Sequence, residues 1–181
     1  MRKLLNSELN RLSVEDFKKA TKIPLIVVLD NIRSQHNVGS VFRTADAFRV
    51  EAICLCGITA TPPNAEIHKA ALGAEYSVDW KYYDHPLHAI RELKEYGYTI
   101  VSIEQTDQSI PIEQFTVDAN ARYAIIFGNE VKGVLQEVID ESDICLEISQ
   151  YGTKHSLNIS VSAGIVIWEL FKQLKNNIQA P

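Results

Sequence analysis

Three cysteines, one methionine and two tryptophans in 181 residues leave little room for a disulfide scaffold or a cysteine-rich metal site. Cys54, Cys56 and Cys145 are an odd number and imply a reducing, cytoplasmic setting. Glycine (8) and proline (6) are too scarce for a collagenous or low-complexity chain. The longest wholly apolar run, Leu25–Leu29 with its Ile23-Pro24 lead-in, is too short to span a membrane. The basic start, Met1 to Glu8, has no apolar stretch of the signal-peptide kind. No G-x-x-x-x-G-K-[ST] phosphate loop, G-x-G-x-x-G fingerprint or Gly-x-Ser-x-Gly elbow occurs. Nucleotidase and hydrolase readings therefore have no footing.

Positive charge is short as well. Lysine and arginine number 18 against 23 acidic residues, a net charge of −5, which by itself argues against a polyphosphate partner. The charge is unevenly spread, however. Residues 1–22 carry +3, residues 23–103 carry −2 and residues 104–181 carry −6. Residues 1–22 are expected as a basic, helical extension with Ser13-x-x-Asp16 capping a short helix. It is either a solvated face or an RNA contact. Arg33, Arg43 and Arg49 add a second basic group.

What is present is a 46% apolar chain of ordinary globular make-up. Leu25–Leu29, Ala52–Leu55, Thr99–Ile103, Tyr123–Phe127 and Ile144–Ile148 are strand-like runs of the buried, two-sided type. Helical patterns alternate with them at Val41–Phe48, Glu66–Leu72, Leu87–Tyr96 and Val134–Glu141. This alternation predicts an α/β domain over 23–181, a mostly parallel sheet with helices on both faces. The last helix, Leu157 to Leu174, is apolar around most of its circumference, which predicts burial all round and a homodimer. His85 and His88 share a helical face without a third ligand nearby, so no metal is expected. Cys54-x-Cys56 places two thiols on one strand face, as packing.

Ligands of parallel sheets bind beyond the carboxyl ends of strands. Three polar loops follow strands here: Asp30–Asp46, with Asn37 as a candidate helix cap; Gly128–Gly133, whose glycines allow close backbone approach; and Ser149–Asn158. In this order, Asn37–Ala45, Ile126–Val134 and Gly152–Ala163 resemble the three signature motifs of the SpoU (TrmH-like) branch of the SPOUT RNA ribose 2′-O-methyltransferases. The likeness spans about Ile23 to Leu174. Lys69–Glu75 and Ile103–Thr106 further resemble the catalytic domain of the large eukaryotic tRNA guanosine-18 methyltransferases.

The resemblance implies a C-terminal trefoil knot, dimerisation through it, and S-adenosylmethionine as cofactor. It implies methyl transfer to a ribose 2′-hydroxyl of RNA, with tRNA and a D-loop guanosine favoured. Large-subunit rRNA is the alternative, placed second because such enzymes often carry a separate N-terminal RNA-binding domain for which this chain is short. A non-catalytic RNA-binding or assembly factor is the other alternative. Carried over residue by residue, Asn37, Arg43, Glu130, Ser156 and Asn158 match the catalytic set. Ile103, Gly128, Asn129, Gly133, Ile148 and Leu157 match the cofactor neighbours. The arginine matching Arg43 would reach the cofactor of the partner subunit; since guanidinium keeps its proton, its part is electrostatic. Two departures stand out: Ser149-Gln150 where the family has Pro-Met or Pro-Gln after isoleucine, and Arg49-Val50 where a glycine is common.

Overall fold

The computed structural model describes residues 1–178. β1 (Ile23–Asp30), β2 (Val50–Cys56), β3 (Asp79–Tyr83), β4 (Tyr98–Ile103), β5 (Ile110–Pro111), β6 (Arg122–Phe127) and β7 (Ile144–Glu147) form one sheet in the order β3-β2-β1-β6-β4-β7-β5. Every pairing in it is parallel. β1 alternates its side chains between two cores. Leu25, Val27 and Leu29 join one cluster, while Ile26 and Val28 join the other. The first cluster is covered by α2 (Gln35–Ala47), α3 (Ala65–Ala71), α4 (Ala74–Ser77) and α7 (Ile159–Leu174), the second by α5 (Pro86–Glu95) and α6 (Gln136–Asp140). Helices thus lie on both faces, as the alternation predicts.

The edge strand β3 escapes the sequence reading, because Asp79-Trp80-Lys81-Tyr82 is exposed along its length and lacks a buried-strand pattern. The two-residue β5 is missed for its brevity. α2 begins six residues before the expected Val41. Ser34, not Asn37, is its N-cap, its hydroxyl accepting from the Asn37 N–H at 3.2 Å. Asn37 therefore sits in the first turn, buried. Gly39 lets α3 close onto α2: a Cβ there would lie 2.4 Å from the Ile67 carbonyl oxygen.

α7 begins at Ile159 rather than Leu157, and within the chain it is buried on one face only. One face (Ile159, Ala163, Val166, Ile167, Leu170 and Leu174) packs on α2 and β1. The other leaves Val161, Ile165 and Trp168 exposed at 50%, 38% and 48%. From β7, beyond β4 in the sheet, the chain returns past the ends of β4 and β6 to place α7 against α2. The segment Ile148–Asn158 makes that return.

α1 (Val14–Lys19) carries the expected cap, Ser13 accepting from the Asp16 N–H at 3.1 Å, and is anchored by buried Phe17. Much of the basic charge in 1–22 is answered locally. Arg2 pairs with Glu8, Lys19 with Glu15 and Lys18 with Asp79, while Lys22 donates to the Phe17 and Ala20 carbonyls. Burial lowers the Lys22 pKa.

Candidate active site

The loops after β4, β6 and β7 enclose a cleft of about 620 Å³ at the carboxyl edge of the sheet, within the usual range for a small-molecule site. Nine of the eleven residues singled out in the sequence line it: Ile103, Gly128, Asn129, Glu130, Gly133, Ile148, Ser156, Leu157 and Asn158. The Gly128–Gly133 loop is folded tightly on itself. A Cβ on Gly128 would stand 2.1 Å from the Gly133 carbonyl carbon, and Gly133 has φ +67°. Asn129 closes this loop from inside. Its Oδ1 accepts from the Val131 and Lys132 N–H groups at 2.9 and 3.2 Å, while its Nδ2 donates to the Asn31 carbonyl at 2.7 Å.

Asn37 lines no part of the cleft wall but ties its loops together. Its Nδ2 donates to Glu130 Oε1 at 3.4 Å and its Oδ1 accepts from Asn158 Nδ2 at 3.3 Å. Asn158 caps α7 through the Ser160 N–H at 2.9 Å. One buried amide thereby links all three motifs.

Glu130 accepts from the Arg33 and Ser34 N–H groups, both at 3.1 Å, just ahead of α2. Burial pushes its carboxyl up, but these N–H donors and Asn37 outweigh that and hold its pKa below the ordinary value. The group stays ionised and fixes the turn into α2.

Arg43 lies apart. It projects from the exposed side of α2 into a separate groove of about 480 Å³ with His36, Ser40, Thr44, Ala47, Phe48, Lys69 and Ala70. Among the described residues its side chain has no ion pair or hydrogen bond.

Ser149, the departure from the third motif, turns away from the cleft. Its hydroxyl donates to Glu113 Oε1 at 2.6 Å, tethering the loop where a proline would have stiffened it.

Several cleft residues, most of them inside the quoted motifs, were not carried over as site residues. Glu104 accepts from the Gln105 and Val134 N–H groups at 2.8 and 2.9 Å, bracing the glycine loop across the cleft. Glu147, Lys132, His155, Phe127 and Ser162 also line it. Glu104 directly follows β4, so the strand-end rule applied to that strand would have found it. No cluster of three or more His, Cys, Asp or Glu side chains suited to a metal occurs among the described residues. Cys54 and Cys56 are buried as packing thiols, Cys54 pushed up to about 12 by burial.

Residues 24–168 match the SpoU rRNA Methylase family model. The chain is 33% identical over 175 residues to the 23S rRNA (guanosine-2′-O-)-methyltransferase RlmB of Neisseria meningitidis, covering 95% of this chain and 69% of that protein. It is 32% identical over 171 residues to the tRNA (guanosine(18)-2′-O)-methyltransferase of Aquifex aeolicus, covering 94% and 78%. The crystal structure of an AdoMet-bound rRNA methyltransferase from Sinorhizobium meliloti superposes with TM-score 0.77 at 26% identity, over 91% of this chain and 62% of that one. The match spans the whole sheet and all three loops of the cleft: the chain belongs to the SpoU methylase family.

Proposed function

We propose that the protein transfers a methyl group from S-adenosylmethionine to a ribose 2′-hydroxyl of RNA. The observation that carries this reading is the convergence of the three motif loops on one cleft at the carboxyl edge of the sheet. The residues fit the cofactor. Ile103, Phe127, Val134, Ile148 and Leu157 offer apolar walls for a purine, and Glu104 and Glu147 offer carboxylates for its cationic groups. When bound, S-adenosylmethionine supplies an electrophilic methyl on a sulfonium.

Ser156 and Asn158 present polar groups to the cleft and Asn37 ties Asn158 to Glu130, while Glu130 holds the first motif in register rather than taking a proton. Arg43 keeps its proton. It serves by gripping an RNA phosphate and stabilising charge that develops on the attacking oxygen. Because Arg43 faces away from its own cleft, this reading needs a second copy. The exposed face of α7, with Phe48 packed 5.4 Å from the Trp168 ring, is the surface on which a homodimer would form. Trefoil threading of the returning Ile148–Asn158 segment belongs to the same proposal, as does a division at residue 22.

The favoured substrate is tRNA, on the likeness to the Aquifex enzyme; 23S-type rRNA is the second reading, on the 33% identity to RlmB. A cytoplasmic location goes with three free cysteines, and no helix among the described residues is long and apolar enough to cross a membrane. Incubation of unmodified tRNA and rRNA transcripts with labelled S-adenosylmethionine, followed by mapping of alkali-resistant dinucleotides, tests the reading. Label confined to tRNA is the expected result. Label only in rRNA transfers the proposal to the second substrate, and no label in either overturns it.

A further inference from the structure

The groove around Arg43 continues onto a surface that neither the cofactor cleft nor the α7 face accounts for. Lys69 lines that groove from α3. At about 100° per residue, Lys69 stands on the crest of α3, with Ala70 falling away on the groove side and His68 on the other. Beyond the crest, the His68 ring lies 6.0 Å from the Tyr76 ring of α4. Between them Leu72 turns the corner from α3 to α4 at φ +53°, the left-handed region that glycine enters most readily. Its side chain is 66% exposed and that of Tyr76 is 58% exposed. A leucine in that conformation, pointing into solvent, gains nothing for the core, and such outliers gather at functional surfaces.

The corner is held in place from beneath. His68 Nδ1 meets Glu75 Oε1 at 2.5 Å, and Glu75 is buried with its second oxygen unpartnered. The imidazole is therefore held by one nitrogen to a buried carboxylate, while its side chain stays 57% exposed and tilts at 55° to the Tyr76 ring. Exposed rings stand near Arg43, which has no ion pair among the described residues, and near Lys69, whose only ion pair there is an exposed one with Glu66 at 2.6 Å. They match the chemistry of unpaired nucleotides: cations for phosphates, flat π-faces for bases.

We propose that the α3–α4 corner formed by His68, Leu72 and Tyr76 is a stacking ledge for an unpaired base of the RNA substrate, whose adjoining phosphate lies in the groove of Arg43 and Lys69. The inference rests on the RNA-methylation reading and adds positioning residues outside the catalytic set. Tyr76 supplies its ring rather than its hydroxyl, His68 supports the ring, and Lys69 answers a phosphate.

The test is fluorescence anisotropy of labelled, unmodified tRNA and rRNA transcripts with full-length wild type and with the variants Tyr76→Ala, Tyr76→Phe and Lys69→Ala. Steady-state methylation of the same RNAs accompanies it. Loss of one stacked base predicts about 5- to 150-fold weaker binding for Tyr76→Ala. The rise should fall on KM for RNA, with kcat and S-adenosylmethionine affinity unchanged, and Tyr76→Phe should bind as wild type does. Lys69→Ala should flatten the plot of log Kd against log salt by about 0.7, one single-strand phosphate contact. Tyr76→Ala binding as tightly as wild type overturns the ledge, as does a Tyr76→Phe variant as weak as the alanine. If wild type methylates RNA and Tyr76→Ala binds and methylates it just as well, the ledge alone is wrong. If wild type binds neither RNA, the methylation reading fails and the ledge falls with it.

Discussion

Replacing Glu130 by glutamine isolates the carboxylate that joins the first two motif loops. The side chain keeps its size, yet one of its oxygens becomes an NH₂ group that cannot accept. Glu130 Oε2 serves the Arg33 N–H, while Oε1 serves the Ser34 N–H and the Asn37 amide. Either orientation of the glutamine therefore sets an NH₂ against a backbone N–H. A hydrogen bond to a charged group contributes about 1.5–3 kcal/mol, but Glu130 is solvent-exposed and water will replace part of what is lost. A cost of about 1 kcal/mol follows, or a fall in Tm of roughly 2–4 °C for a chain of this size. The pH dependence is the sharper check. The folded-state pKa lies below the ordinary carboxyl value. The stabilisation is then fully present above the unfolded pKa, near 4.3, and is lost as pH falls through the folded value. Urea unfolding of both proteins from pH 7 down to pH 4 and below should show a gap at neutrality that closes on the acid side. A gap that stays constant with pH, or no gap at pH 7, refutes the assignment of Glu130 as an ionised strut.

Arg43→Ala should cut methyl transfer by about 100-fold or more while calorimetry shows unchanged S-adenosylmethionine binding, since the proposed role of Arg43 is toward the RNA phosphate and the attacking oxygen; turnover within a few-fold of wild type would remove it from the mechanism. Trp168→Glu puts a charge on the exposed face of α7 and should give a folded monomer in sedimentation velocity with little methylation. A wild-type protein that sediments as a monomer defeats the interface. Asp30 is buried with Oδ2 unpartnered, and burial raises its pKa. The raised value means that its contribution is present below the unfolded pKa and lost as pH rises through the folded one. Asp30→Asn should thus be the more stable protein at pH 7, with the advantage shrinking toward pH 4; an advantage independent of pH would falsify the burial argument.

Strands buried on both sides were legible because burial and sequence say the same thing twice: each residue of Leu25–Leu29 faces one of two cores. β3 was not, since only one end of it is covered and its aromatic and charged side chains serve the surface. The start of α2 was misplaced for a related reason. Its first turn is polar because it serves the site, and a polar turn carries no apolar period. Asn37 reads as a cap in sequence, whereas Ser34 three residues earlier fills that role and frees the asparagine to bridge Glu130 and Asn158. Contacts spanning 93 and 121 residues leave no local signature. The wall of the cleft built from strand ends was readable because its position follows from the strands themselves.

The outward face of α7 and the outward aim of Arg43 both fit the second copy proposed above. α7 leaves Val161, Ile165 and Trp168 uncovered within a single chain, and Arg43 has no ion pair there among the described residues. Both sit on neighbouring helices that touch, so a surface that buries Val161, Ile165 and Trp168 against a second copy also carries Arg43 toward that copy. Burying an aromatic or branched side chain contributes about 1.5–3 kcal/mol, which favours a dimer without any help from charge. The net charge of −5 then matters less than its placement. Most of the lysines and arginines in 1–22 are answered by acids or carbonyls close at hand, whereas Arg43 keeps its charge free at the groove that Lys69 also lines. Lys69 is held there only by the exposed Glu66, and an acidic protein can recognise RNA when accessible cations stand where the phosphate must go.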